Sequence, residues 1–366
     1  MPQPPTATDC SAPSGAPSVA RRGSPGRARR GLRALAALVL PTALSFGACS
    51  SAPAPAPAPT TTVTSSTPSA SPTASTADAP ATPALTPLGG GPVLAVKIDN
   101  TGPARPRIGL DSAAVVYVEP VEAGLTRLLA VFTTMPAEVG PVRSARESDV
   151  DLLGNYGRVA FAFSGGSAIT LAAVAKGQQV NLSFDANPAG YRRDRSRPSP
   201  YNVIGSPTQL LARAGGSVPP GDVGLRFGPA PAGGASGTSV STAYSAASVG
   251  LTWDAGTQRY LVTTDGRSET TAAGVRVGAA SVIVQTVRTH LSANQDVNGA
   301  HTPVVEVVGS GPVTLLRDGR SWTGTWSRSA RSAPTTFTSA SGEQLALATG
   351  PVWVLLVPAG QGVTVR

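Results

Sequence analysis

Hydrophobic positions are spread unevenly along the chain of 366 residues. One apolar run, residues 34–46, stands near the N-terminus behind Arg21, Arg22, Arg27, Arg29, Arg30 and Arg33, and ends at Gly47-Ala48-Cys49. Residues 50–87 then hold Ala, Pro, Ser and Thr with almost no large apolar side chain. Such a stretch cannot bury enough surface to offset its ordering entropy, so it predicts a disordered spacer. Folding is expected to begin near residue 91.

From there, short apolar runs alternate with turn residues. Residues 93–98 read as a buried strand, 99–103 as a turn, and 113–119 and 126–132 as two further strands that Glu122-Ala123-Gly124 can join in a hairpin. Ser144 and Glu147 have the spacing of a capping box, and Asp149 and Asp151 suit the positive end of the helix this predicts. A fourth strand is expected over 159–163, and Ser164-Gly165-Gly166-Ser167 leads into a helical stretch over 168–176. After about Leu211 the helical period disappears. Short strands over 251–253, 259–262, 281–285, 304–308, 313–316, 322–326 and 352–357 are separated by turn pairs such as Asp265-Gly266 and Asp318-Gly319. The pattern predicts an α+β fold: an α/β-like first domain with a mixed sheet and helices, then a mostly β second domain, sandwich-like or partly barrelled. The expected division is 1–48 signal peptide, 49–90 lipidated cysteine and tether, 91–212 first domain, 213–237 linker and 238–366 second domain.

The basic stretch followed by an apolar run has the layout of a secretory signal. The run is too short to span a bilayer, which needs about 20 apolar residues, and Pro41 interrupts it. Leu44-Ser45-Phe46-Gly47-Ala48-Cys49 resembles a lipobox, where lipoprotein signal peptidase cleaves to leave an acylated cysteine, although Phe46 replaces the usual aliphatic residue. An ordinary signal peptide with an incidental Cys49 is the other reading; the spacer that follows at once is what an anchored protein needs. Cys10 and Cys49 are the only cysteines, so the folded part is expected to hold no disulfide and no cysteine-based metal site; separately, no cofactor is expected. The net charge of +9 draws heavily on the six leader arginines. With no Lys/Arg runs after the leader and few aromatics, nucleic-acid binding is not expected. Lys97 and Lys176 are the only lysines, a bias that reads as that of a high-GC genome.

The chain contains no Gly-x-Ser-x-Gly, His-Glu-x-x-His or Walker loop, and its two histidines, His290 and His301, are expected on surface loops. The polar residues of the first domain are more informative. Arg127, Arg143, Ser144 and Arg146 gather near one predicted helix start and Ser164, Gly165, Gly166 and Ser167 at another, while the basic loop 191–202 adds Arg195 and Asn202. Guanidinium groups and unspent backbone N–H groups at helix starts make an anion site. The alternative is that Arg143 and Arg146 pair with Glu147, Asp149 and Asp151. Asp99, Glu119 and Glu122 are acid/base candidates at strand ends, or simple partners for Arg127.

At these residues the chain resembles the YerB-like family of bacterial lipoproteins, in which a domain of unknown function precedes a smaller C-terminal domain. Carrying the resemblance are residues 95–100, Ala104-Arg105-Pro106, Gly109-Leu110 with residues 113–119, residues 122–127, residues 140–146 and the loop 191–202. Within that loop Pro200-Tyr201-Asn202 stands where the family often has Pro-His-Asn. Thr252-Trp253, Arg317-Asp318-Gly319, Gly324-Thr325-Trp326 and the closing strand at Val352-Trp353 resemble its C-terminal domain. The resemblance implies a lipoprotein of two domains and names no activity. The expected function is that of a membrane-anchored, extracytoplasmic lipoprotein binding an anionic or polyhydroxylated ligand such as a cell-wall glycan or phosphate. An envelope hydrolase or transferase using acidic residues, and a scaffold in a membrane-associated complex, are the alternatives.

Overall fold

The computed structural model describes residue 88 and residues 91–215, 217–296 and 299–366. The signal peptide, Cys49 and nearly all of the expected tether lie outside these residues. The first region contributes β1 (Leu94–Asp99), β2 (Val115–Pro120), β3 (Thr126–Phe132), α1 (Glu147–Leu152), β4 (Ala160–Ala162), α2 (Ala168–Lys176), β5 (Val180–Asn181), β6 (Tyr191–Arg193), β7 (Val203–Gly205) and α3 (Pro207–Arg213). Then come β8 (Ala235–Ser236), β9 (Ser239–Tyr244), β10 (Ala247–Asp254), β11 (Arg259–Thr264), β12 (Arg267–Ser268) and β13 (Gly278–Ala279). The last elements are β14 (Ser281–Gln295), β15 (His301–Glu306), β16 (Gly309–Arg317), β17 (Arg320–Arg328), β18 (Thr336–Ser339), β19 (Val352–Pro358) and β20 (Val363–Val365). The α+β class holds.

The main sheet runs β18-β17-β16-β14-β19-β2-β3-β1-β4-β5, with β15 on β14 and β8 on β17. β3 is antiparallel to both β1 and β2, whereas β19 is parallel to β2 and β4 is parallel to β1. Because β19 lies between β14 and β2, residues from both predicted domains complete one sheet. The segment 213–237 therefore separates two sequence regions without interrupting the core: β8 pairs with β17, and Phe227 bridges to Leu347.

Successive strand residues face opposite sides of a sheet, and a strand covered on both sides reads as a continuous apolar run. On one face Val96, Ile98, Val118, Leu128, Val282 and Leu355 pack against Val240, Leu251, Tyr260 and Val262 of a second sheet, ordered β12-β11-β10-β9-β20 with β13 on β11. This is the sandwich-like part of the expectation. On the other face Ala95, Val115, Tyr117, Leu129 and Val131 lie beneath Val150 and Leu152 of α1 and Val174 of α2. Each such fully buried aliphatic or aromatic side chain stabilises the fold by about 1.5–3 kcal/mol. The link between β2 and β3 is the predicted hairpin, turned by Ala123 at φ 57° and Gly124 at φ 68°. The left-handed region costs a residue with a Cβ, so Ala123 is held there by its surroundings.

Two local expectations change. α1 is capped by Arg146 rather than Ser144: the Arg146 backbone N–H donates to Asp149 Oδ2 at 2.6 Å, while the Ser144 carbonyl accepts from Arg127. α2 begins where expected, with Ser167 Oγ accepting from the Thr170 N–H at 3.1 Å. His290 and His301 stand on β14 and β15, not on loops, and both are exposed.

A candidate ligand cleft at the polar end of the sheet

Alternation places Lys97 and Asp99 of β1, Glu119 of β2 and Arg127 of β3 on the same face as Ala95, Tyr117 and Leu129. Each strand is apolar where α1 and α2 cover it and polar toward the end where β1 and β2 finish. At that end Arg127 is the register partner of both Asp99 and Glu119.

The polar residues form two layers. In the inner layer Lys97 Nζ donates to Glu119 Oε1 at 2.7 Å and to Asp149 Oδ1 at 2.8 Å, and no member is more than 1% exposed. Burial and the neighbouring Asp149 push the Glu119 carboxyl well above its ordinary range, against the pull of Lys97. Glu119 is sealed from solvent, outside the lining of the cleft.

The outer layer lines an open cleft of about 640 Å³. Six of the predicted binding residues line it together: Arg127, Arg143, Ser144, Arg146, Gly166 and Ser167. Ser164 stands behind them with its hydroxyl 3.4 Å from that of Ser144, and Gly165 packs against the Asp185 carboxylate. Arg195 and Asn202 are not part of the lining; Arg195 is exposed, and Asn202 Oδ1 accepts from Arg193 at 2.9 Å. Much of the basic loop serves structure, since Arg192 pairs with Glu138 and Arg197 donates to the Ala104 carbonyl.

The acid/base candidates that reach the cleft are occupied. Asp99 Oδ2 accepts from Arg143 Nε at 2.7 Å, and its Oδ1 accepts from the Thr101 backbone N–H, also at 2.7 Å. Glu122 Oε2 accepts from Arg146 Nη2 at 2.6 Å, and its Oε1 accepts from the Thr302 hydroxyl. Burial raises the Glu122 carboxyl, but the hydrogen bonds from Arg146 and Thr302 and the Arg146 charge outweigh it and leave the group below its usual range. Arg143 and Arg146 are thus paired, though with Asp99 and Glu122 rather than with the carboxylates of α1.

Arg127 is different. It is 9% exposed, donates Nη1 to the Ser144 carbonyl at 3.0 Å and, among the described residues, makes no ion pair. Burial, then the charges of Arg146 and Arg143, push its pKa down to about 9 against the weaker pull of Glu122 and Asp99, so the guanidinium stays cationic at neutral pH with its charge only partly compensated. The backbone donors leading into α1 are spent: Arg143 N–H on the Lys97 carbonyl, Ala145 N–H on the Gly165 carbonyl and Arg146 N–H on Asp149. At that helix start the predicted anion site accordingly reduces to side chains.

Several lining residues were not among the predicted binding residues. Tyr201 lies 5.8 Å from the Arg143 guanidinium across its ring. Asp185 follows β5, and Asn294, Gln295 and Asp296 come from the far end of β14. That arm is held to the first region where Thr302 donates to Glu122 and Ser292 donates to Glu147, contacts between residues 180 and 145 positions apart. Among the described residues, no group of three or more His, Cys, Asp or Glu side chains is placed to hold a metal ion, and no helix is long and apolar enough to cross a membrane.

Comparison with known proteins agrees with this architecture. The family described as protein of unknown function (DUF3048) matches in two parts, its N-terminal domain at residues 82–218 and its C-terminal domain at 240–354. YerB of Bacillus subtilis (strain 168), a candidate lipoprotein, is 38% identical over 112 residues, which are 30% of this chain and 33% of that protein. The aligned stretch therefore spans about a third of the relative's length. The crystal structure of YerB from Bacillus subtilis superposes with a TM-score of 0.64 at 22% identity, covering 76% of this chain and 95% of that one, and so shares the fold. With both domains matched in order and the fold in common, the chain belongs to the family of proteins of unknown function that includes YerB.

Proposed function

We propose that the protein is a cell-envelope lipoprotein, anchored through Cys49 on the extracytoplasmic face of the membrane, whose cleft binds an anionic or polyhydroxylated envelope ligand. The leader pattern and the candidate-lipoprotein relative support the anchorage. One observation carries the binding: Arg127 is nine-tenths buried, lines the cleft and, among the described residues, forms no ion pair with a carboxylate. A cation taken out of water without a counter-charge is costly, and sites that keep one are often functional. Arg143 and Arg146, each held by its own carboxylate, shape the walls around it.

Two experiments test this. Metabolic labelling with a fatty acid should mark the wild-type protein and leave a Cys49→Ser variant unmarked and released from the membrane; equal membrane retention of both contradicts the anchor. Titration of the purified protein with solubilised cell-wall fragments and with simple anions should show saturable binding that Arg127→Met weakens at least 10-fold. Equal affinity for both proteins would remove the ligand site from the account.

A further inference from the structure

The charges around the cleft narrow the ligand. Asp99 cancels Arg143 and Glu122 cancels Arg146 at hydrogen-bond distance. Arg127 is left as the positive group, and two further carboxylates line the same cleft: that of exposed Asp185 and that of Asp296, whose Oδ1 accepts from the Ala300 N–H. A ligand with one negative charge satisfies Arg127. A phosphate monoester, which carries about −1.5 to −2 at neutral pH, brings further charge toward Asp185, and like charges in a partly desolvated cleft repel strongly.

The remaining lining suits hydroxyl groups and a ring. Among the described residues the Asp185 carboxylate accepts no side-chain hydrogen bond, so it is open to O–H donors. The Ser144 hydroxyl makes only a long contact, 3.4 Å, with Ser164. Half-buried Tyr201, held beside Arg143, gives an aromatic surface for the C–H face of a pyranose. The volume of about 640 Å³ lies within the range of about 300–1,000 Å³ typical of small-molecule sites.

Resting on the reading of the cleft as an anion site, we propose that its ligand is a sugar acid of single negative charge, whose carboxylate meets Arg127, whose hydroxyls meet Asp185 and Ser144, and whose ring lies against Tyr201. The preference is for a carboxylated sugar over both its neutral and its phosphorylated counterparts.

The test is calorimetric titration of the purified protein with methyl glucuronide, methyl glucoside and glucose 6-phosphate. The expected result is an affinity for the glucuronide at least 10-fold above that for the other two. Arg127→Met should abolish the preference over the glucoside. Asp185→Asn, at an exposed position where folding is not at stake, should narrow the gap to glucose 6-phosphate several-fold. Tighter binding of glucose 6-phosphate overturns the sugar-acid assignment and leaves the anion site standing. Equal binding of glucuronide and glucoside overturns both readings, and failure to bind any of the three overturns the sugar-acid assignment.

Discussion

Two groups of charge share one face of one sheet and have opposite economies. Lys97, Glu119 and Asp149 are sealed and mutually bonded, at 2.7 and 2.8 Å, and because the Glu119 carboxyl is raised to about 8 and largely protonated at neutral pH, the one ammonium is not outnumbered by carboxylate charge. A few residues along the same strands, Arg127 borders an open cleft with a carbonyl for company and no carboxylate. Burial alone therefore does not mark function. What separates the layers is whether the buried charge is compensated within the fold, since a compensated ion pair serves cohesion and an uncompensated cation facing solvent serves whatever anion reaches it.

The contrast breaks first at the inner layer. Lys97→Met leaves two carboxylates buried without a partner, and loss of one member of a buried ion pair costs about 3–5 kcal/mol. Chemical denaturation should show that loss, and Lys97→Met/Glu119→Leu/Asp149→Asn should recover most of it, because replacing the whole group removes the unpaired charges. A smaller effect is expected between the layers. Glu122 is held below its ordinary value of 4.5, so it contributes stability above that pH that is lost as pH falls through its folded value. Glu122→Gln should cost about 2 kcal/mol at neutral pH and flatten the decline of stability below about pH 4.5. The smallest effect belongs to the rim: Asp185→Asn should change stability by no more than about 0.5 kcal/mol, and a larger loss in thermal unfolding would place Asp185 in the structure rather than the site.

Much of this arrangement was legible in the residues. The runs 93–98, 113–119 and 126–132 gave three adjacent strands, and their alternation put Lys97, Asp99, Glu119 and Arg127 on one face. Six of the ten binding candidates meet at the cleft because they follow the ends of those strands and the start of α2. What escaped is long-range. Pairing of β19 with β2 unites the two predicted domains in one sheet, and no local pattern encodes it. The arm of β14 was read at a third of its length because exposed Arg288, Thr289, His290 and Leu291 interrupt its apolar run. The cap of α1 was misassigned because Ser144 and Asp149 compete for similar roles, and the Ser144 carbonyl is instead drawn to Arg127.

Unfolding of the Arg127→Met variant without any ligand tests the central claim most directly. If Arg127 is kept for an anion rather than for cohesion, removing its charge costs one carbonyl hydrogen bond and the attraction of Glu122 and Asp99, offset by relief from burial and from Arg143 and Arg146. The variant should then unfold within about 1 kcal/mol of the wild type. A loss of about 3 kcal/mol or more, the size seen when a buried pair is broken, would show that Arg127 belongs with the inner layer as part of what holds the sheet together.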